Sequence, residues 1–371
     1  MQLAPEDNLR LQVLLRQGLQ ALRIDESRME IQALTDKGQA SLKLHPTCRD
    51  EQYLKLVRQA ISTHVLGSPG GYPVYLKRWT RMGQTRSQNL EKLLILGEPE
   101  AVVAVIHAPD LTHELARRAW WAMPDAANAR RMLEYRCVAE GPLGRELAEF
   151  LLEFLPFEER AQDQIDTVRL ILQPGLITEA ERQDLWARAR RRTAFYVGFL
   201  LAVPDALPEP RPAHPEWEAL RHALATPLAA ENPIALQLLR LLSPEGQAWL
   251  HTVSLAMKKP SDQDTVASLM DAMELHGQAA RPRPARPRSF EDLHALVDAQ
   301  LADPPEALAE VLEHLPQRCL PLLHSTLALA YVSEQLVAPI FGLTDAVGSL
   351  MRRKIEPVTR PLSEHIGVLS A

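Results

Sequence analysis

Prolines set the grain of this sequence. There are 29 in 371 residues, and time after time one opens or closes a short apolar run, as in LEKLLILGEP, PEAVVAVIHAP, LTHELARRAWWAMP and ELAEFLLEFLP. Proline has no backbone N–H and a fixed φ, so it sits well in a helix's first turn and stops a helix that reaches it from the other side. The sequence therefore predicts short helices over most of its length. The exception is the proline-free stretch 6–45. There QALRI, MEIQAL and QASLKL alternate apolar with polar residues, and TDKG at 35–38 supplies a tight turn, the pattern of a meander with one buried face.

The expected fold class is thus mainly α: a small N-terminal α+β unit with a three-stranded antiparallel meander, then HEAT-like helical hairpins, then a C-terminal helical region. The first helix runs to Gly18, with Pro5, Glu6 and Asp7 in its first turn. The next starts at Thr47, whose spacing to Asp50 resembles a capping box, carries an apolar face of Tyr53, Leu54, Val57 and Ile61, and ends at Gly67. Two proline-rich stretches, PDALPEPRPAHP at 204–215 and RPRPARPR at 281–288, read as extended linkers. They divide the chain into an α+β unit (1–87), a helical part with repeat character (88–206), a helical segment (207–280) and a C-terminal region (289–371) opened by a Ser289–Asp292 cap. The repeat character rests on one echo: ELARRAWWAMP at 114–124 aligns with ELAEFLLEFLP at 146–156, a period in the range of helical-hairpin arrays.

With 46% hydrophobic and 24% charged residues, the chain is not of the disordered class and can bury sizeable cores. Cys48, Cys137 and Cys319 are far apart, odd in number and form no CxxC pair, so neither a disulfide framework nor a zinc site is signalled. Cys137 and Cys319 lie in apolar helical surroundings and read as core. The N-terminal residues lack the basic-then-apolar order of a secretory signal, and the expected location is the cytoplasm. The most apolar stretch, residues 319–333 and on to Met351, is too interrupted for a membrane span. It predicts a buried hairpin or a homodimer interface through the C-terminal helices.

Charge is uneven. Residues 1–97 carry 14 Lys/Arg against 9 Asp/Glu, and the rest 27 against 38. The basic end holds HVLGSPGGYPVYLKRWTRMGQ at 64–84, in which a helical period places Tyr72, Tyr75, Leu76, Trp79 and Met82 on one side and Lys77, Arg78 and Arg81 on the other. Gly70 and Gly71 would then lie at a helix N-terminus, where free amides and the dipole suit an anion. Gly70, Gly71, Lys77, Arg78 and Arg81 are the candidate anion-binding residues, set against a plain glycine corner before an amphipathic helix. The motif lacks the Walker and dinucleotide spacings. Nucleic acid is disfavoured as a partner, because the aromatics face away from the basic side. Cys48 is the candidate reactive thiol, since as first helical residue the dipole would lower its pKa. No metal, cofactor or catalytic constellation is indicated among the scattered histidines, which points away from an enzyme. The Arg-rich run at 187–196, taken as one helix, spreads its arginines around the axis.

The stretch 64–84, with LLILGEPEAVVAVIHAPDLTHELARRAWWAMPDAANARRML and VRLILQPGLI, resembles the DsrS proteins encoded with the reverse dissimilatory sulfite reductase (dsr) system of sulfur-oxidising bacteria. The likeness covers residues 3–208. It implies a cytoplasmic accessory of the pathway that oxidises stored sulfur, with other proteins of the dsr system as partners. It brings no catalytic residues. It also makes Cys48 worth testing as a persulfide acceptor and sulfur oxyanions as ligands for the glycine corner.

Overall fold

A computed structural model describes residues 2–73, 87–343 and 346–371. The chain is mainly helical, with one three-stranded sheet near its N-terminus. It divides into two compact units, Met1–Phe154 and Leu155–Ala371.

In the first unit, α1 (Pro5–Leu15) leads into β1 (Leu19–Asp25), β2 (Glu30–Thr35) and β3 (Gly38–Lys43), all antiparallel in sequence order. The alternation holds where it was read. Ile31 and Ala33 are fully buried and Met29 nearly so, while Glu30 and Gln32 stay half-exposed. Thr35 pairs with Gly38 across the turn, and its hydroxyl donates to the Gly38 carbonyl at 2.8 Å. Leu22, Ile31 and Leu42 pack against Leu11 and Leu15 of α1 and against Tyr53, Val57 and Ile61 of α2 (Asp50–Leu66). At about 25 cal/mol per Å2 of apolar surface, each such side chain contributes about 1.5–3 kcal/mol.

The sheet does not end the unit. After α3 (Ser87–Leu94) and α4 (Pro99–Ile106) comes α5 (His113–Ala122), which lies on β1. Arg23 of β1 donates to the Trp121 carbonyl at 2.9 Å and stacks 4.8 Å from its ring. So residues 1–87 share one unit with the helices up to α6 (Ala126–Leu133) and α7 (Pro142–Phe154). The sequence echo has a structural counterpart. Leu115, Ala116 and Ala119 of α5 and the aligned Leu147, Ala148 and Leu151 of α7 are all buried. Trp120 bridges the two echoed segments, donating from Nε1 to Glu146 at 2.8 Å and meeting Phe150 edge-on at 4.9 Å.

The principal helices of the second unit are α8 (Ala161–Ile171), α9 (Glu179–Ala189), α10 (Thr193–Ala202), α11 (Pro233–Leu242), α12 (Pro244–Lys258), α13 (Gln263–Gly277), α14 (Phe290–Ala302), α15 (Leu320–Ala330) and α16 (Glu356–Leu369). Both proline-rich stretches lie inside this unit and outside its regular helices, with turns and bends in 204–209, and each is tied down: the His214 amide donates to the Leu242 carbonyl at 2.9 Å. Arg281 donates to the Ala330 carbonyl at 2.6 Å and to Glu274 at 3.0 Å, and the Tyr331 hydroxyl donates to the Arg283 carbonyl at 2.6 Å. They are straps across the unit. The apolar 319–333 stretch holds helix α15, with Leu323, Leu327, Ala328 and Ala330 fully buried against the same chain. Among the described residues no helix is long and apolar enough to cross a membrane.

Candidate functional site

The glycine corner is built as predicted up to its first stop. Gly67 takes a left-handed φ of 69° and its amide caps α2 on Thr63. Beyond it, the Gly71 amide expected to await a ligand is already used, and so is that of the next residue. Gly71 N donates to the buried Ser62 hydroxyl at 2.8 Å, and Tyr72 N donates to Glu98 Oε2 at 2.8 Å. Gly71 has φ 61°, and a Cβ there would stand 2.3 Å from Glu98 Oε1. A carboxylate does sit where the backbone favours an anion, but it belongs to this chain, which corrects the reading of Gly71 as an open anion site. Gly70 is exposed. Lys77, Arg78 and Arg81, with Tyr75 and Trp79, lie outside the described residues.

Cys48 is not the first residue of a helix. The helix begins at Asp50 with Arg49 as N-cap, and no side chain caps it. The reason is a buried acid upstream. Asp7, 1% exposed, accepts hydrogen bonds from the Tyr53 hydroxyl at 2.5 Å and the His45 amide at 2.7 Å, and His45 Nδ1 lies 3.0 Å from its other oxygen. Burial pushes the Asp7 carboxyl up, but these bonds hold it below the usual range; burial and the facing carboxylate push Tyr53 up to about 12. The residues before α2 are thereby drawn onto α1 in extended form, and Cys48 ends half-buried against the N-terminal core. The helix-dipole argument for its reactivity does not apply at this position. Cys137, expected in the core, is exposed, its thiol donating to the Leu111 carbonyl at 3.4 Å. Cys319 is buried, and burial followed by the nearby Glu216 carboxylate pushes its thiol up.

Two constellations appear that the sequence did not disclose. The first is a groove of about 500 Å3 in the second unit, lined by Pro156, Ala187, Arg188, Arg191, Arg192 and Phe195. The run 187–196 is not one helix. α9 ends at Ala189, Arg191 N and Arg192 N both bond back to the Arg188 carbonyl, and α10 starts at Thr193. Arg188, Arg191 and Arg192, spaced i, i+3 and i+4, stay on one side through this corner and line the groove, while Arg190 acts electrostatically on Tyr196. All are exposed. Arg188 pairs with Asp184 at 2.5 Å, and Arg192 donates to the Pro156 carbonyl at 3.3 Å. Arg191 has no ion-pair partner among the described residues. Thr193 donates to the carbonyl of exposed Lys259 at 3.3 Å, which brings a further basic residue beside the corner.

The second joins three histidines from three helices. His294 Nε2 of α14 lies 2.8 Å from His365 Nε2 of α16, and the ring of His324 from α15 is 5.8 Å from that of His365. Only one proton fits in a bond between two such nitrogens. His365 Nδ1 is 3.2 Å from the buried Ser325 hydroxyl, and His324 Nε2 is 3.2 Å from Asp298. Burial, then the neighbouring His294 and His324, press His365 down to about 4. Among the described residues no group of His, Cys, Asp and Glu is arranged to hold a metal ion. The cluster fastens three helices together. Residues 294, 324 and 365 have no motif spacing, so only the packing of α14, α15 and α16 could reveal it.

No family model, curated protein or solved structure matches the chain.

Proposed function

We propose that this chain is a cytoplasmic, non-enzymatic accessory protein of dissimilatory sulfur oxidation, of the DsrS kind, which works by contact with other proteins. The resemblance over residues 3–208 supports the pathway. The observation that carries the mode of action is the convergence of Arg188, Arg191 and Arg192 on one open groove. Arginine is over-represented at protein contacts because its planar fork pairs with carboxylates in two-pronged fashion. The test has two arms. Tagged full-length chain in cells oxidising sulfur should retain proteins of the dsr system, and deleting the gene should slow consumption of stored sulfur. Unchanged sulfur consumption together with an empty capture would end the proposal.

A second reading makes Cys48 a persulfide acceptor. Its half exposure is what supports it. Cys48→Ser with unchanged sulfur loading removes it. A third reading, RNA or nucleotide binding by the basic N-terminal surface, has only the charge asymmetry of the sequence behind it. It predicts binding that weakens with salt and with neutralisation of Lys77, Arg78 and Arg81.

A further inference from the structure

We infer that the arginine groove of the second unit is a docking site for an acidic segment of a partner protein, one carrying several carboxylates and at least one apolar side chain. The inference rests on the contact reading above and names the chemistry of the contact.

The unit containing the groove is acidic as a whole, with 21 Lys/Arg against 28 Asp/Glu in residues 155–371. Against that background four arginines in five residues, 188–192, form a local island of positive charge. Three of them face one concavity, and Arg191 has no ion-pair partner among the described residues. Within the chain Arg188 meets Asp184 and Arg192 the Pro156 carbonyl, whereas Arg240 elsewhere in the unit is held by both oxygens of Asp205, at 2.7 and 2.6 Å. Pro156, Ala187 and the edge of Phe195 supply an apolar floor between the charges.

The same features choose among anions. A single small oxyanion on exposed guanidiniums would gain little, since surface ion pairs are screened and Arg188 is already part-neutralised by Asp184. A nucleic-acid strand extends well past the groove into the field of a net-negative unit, where its phosphates are repelled. A short acidic segment meets only the local positive field, adds several pairs together, and can lay an apolar side chain on Pro156 and Ala187. Recognition of acidic motifs by arginine clusters is an established mode of peptide binding.

The experiment uses the full-length chain and fluorescence anisotropy of a labelled peptide of alternating Glu and Leu. A Gln/Leu peptide, sodium sulfate at matched ionic strength and polyuridine serve as competitors. The Glu/Leu peptide should bind with an affinity that falls as salt rises, and Arg191→Glu should weaken it by roughly tenfold, the effect of one central arginine. Arg191→Gln should give a smaller loss in the same direction, and Arg16→Glu, on the exposed surface of the first unit, no loss. Circular dichroism of each variant verifies that the fold is retained. Equal binding by the Gln/Leu peptide, displacement by polyuridine or sulfate ahead of the Glu/Leu peptide, or indifference to both Arg191 variants would overturn the inference. Should the chain retain dsr-system proteins equally well with Arg191→Glu, the groove assignment falls while the accessory reading stands.

Discussion

The glycine corner of the first unit and the arginine corner of the second are both turns between helices rich in groups that attract anions, yet they end in opposite states. At the first, Gly71 and Tyr72 present amides, and the chain folds its own Ser62 and Glu98 onto them. At the second, Arg188, Arg191 and Arg192 present guanidiniums, and the described residues supply Asp184 and one carbonyl. A polar group satisfied from within is part of the architecture; one left facing solvent beside a concavity is available to something else. The contrast moves the candidate site from the basic N-terminal end to a basic island on the acidic end.

The sharpest way to separate the two units is acid. His365 is pressed from 6.5 to about 4, and His276, buried against Trp249, to about 3 by desolvation followed by the Arg240 charge. A histidine whose folded pKa lies below its unfolded one binds fewer protons folded than unfolded. The second unit therefore holds its full stability above about pH 6.5 and loses it as pH falls toward 4 and then 3. The loss is on the order of several kcal/mol, reduced for the exposed part of His365. In the first unit, Asp7 lies below its ordinary 3.8, so the stability it provides is lost only under that value. Hydrogen exchange resolved by peptide, from pH 7 to 4, should show residues 155–371 loosening while 1–154 stay protected. Simultaneous loosening would refute the assignment.

Next in size is Gly71→Ala. The left-handed φ and the clash with Glu98 together should cost the first unit about 2–3 kcal/mol, read as faster exchange of α2 and the corner, with peptide binding at the arginine groove untouched. Smallest is the effect of Arg191→Glu on stability. An exposed side chain with no ion-pair partner among the described residues should change the unfolding free energy from urea titration by less than about 0.5 kcal/mol, so its effect on binding is not a folding effect. Stability and binding thus respond to opposite corners, and a variant that moved both would blur the distinction.

Much of the fold was legible. The alternation of Met29, Ile31 and Ala33, the stop at Gly67 and the cap at Ser289, whose hydroxyl accepts from Asp292 N at 3.1 Å, are local signals read within a few residues. The failures were also physical. Thr47 lost the cap because Asp7, forty residues earlier in sequence, organises the segment around His45. The proline-rich stretches stand outside regular helices as composition requires, yet Arg281 and Tyr331 fasten 281–288 into the second unit. The arginine groove was hidden because the four arginines of 188–192 read together as one run: Arg190 lies opposite the i, i+3, i+4 set of Arg188, Arg191 and Arg192, and the concavity also needs Pro156 from another segment.

Proline placement, binary patterning and glycine stops determined by themselves a mainly helical chain with one small meander, because each acts through the backbone of its own neighbourhood. Which anion meets the Gly71 corner, which imidazoles meet at His365 and which segment closes the arginine groove were decided only by tertiary packing. Those pairings join residues such as Tyr72 with Glu98 and His294 with His365. Their partners are fixed by how helices and sheet bury their apolar faces, information carried by no single stretch of the chain.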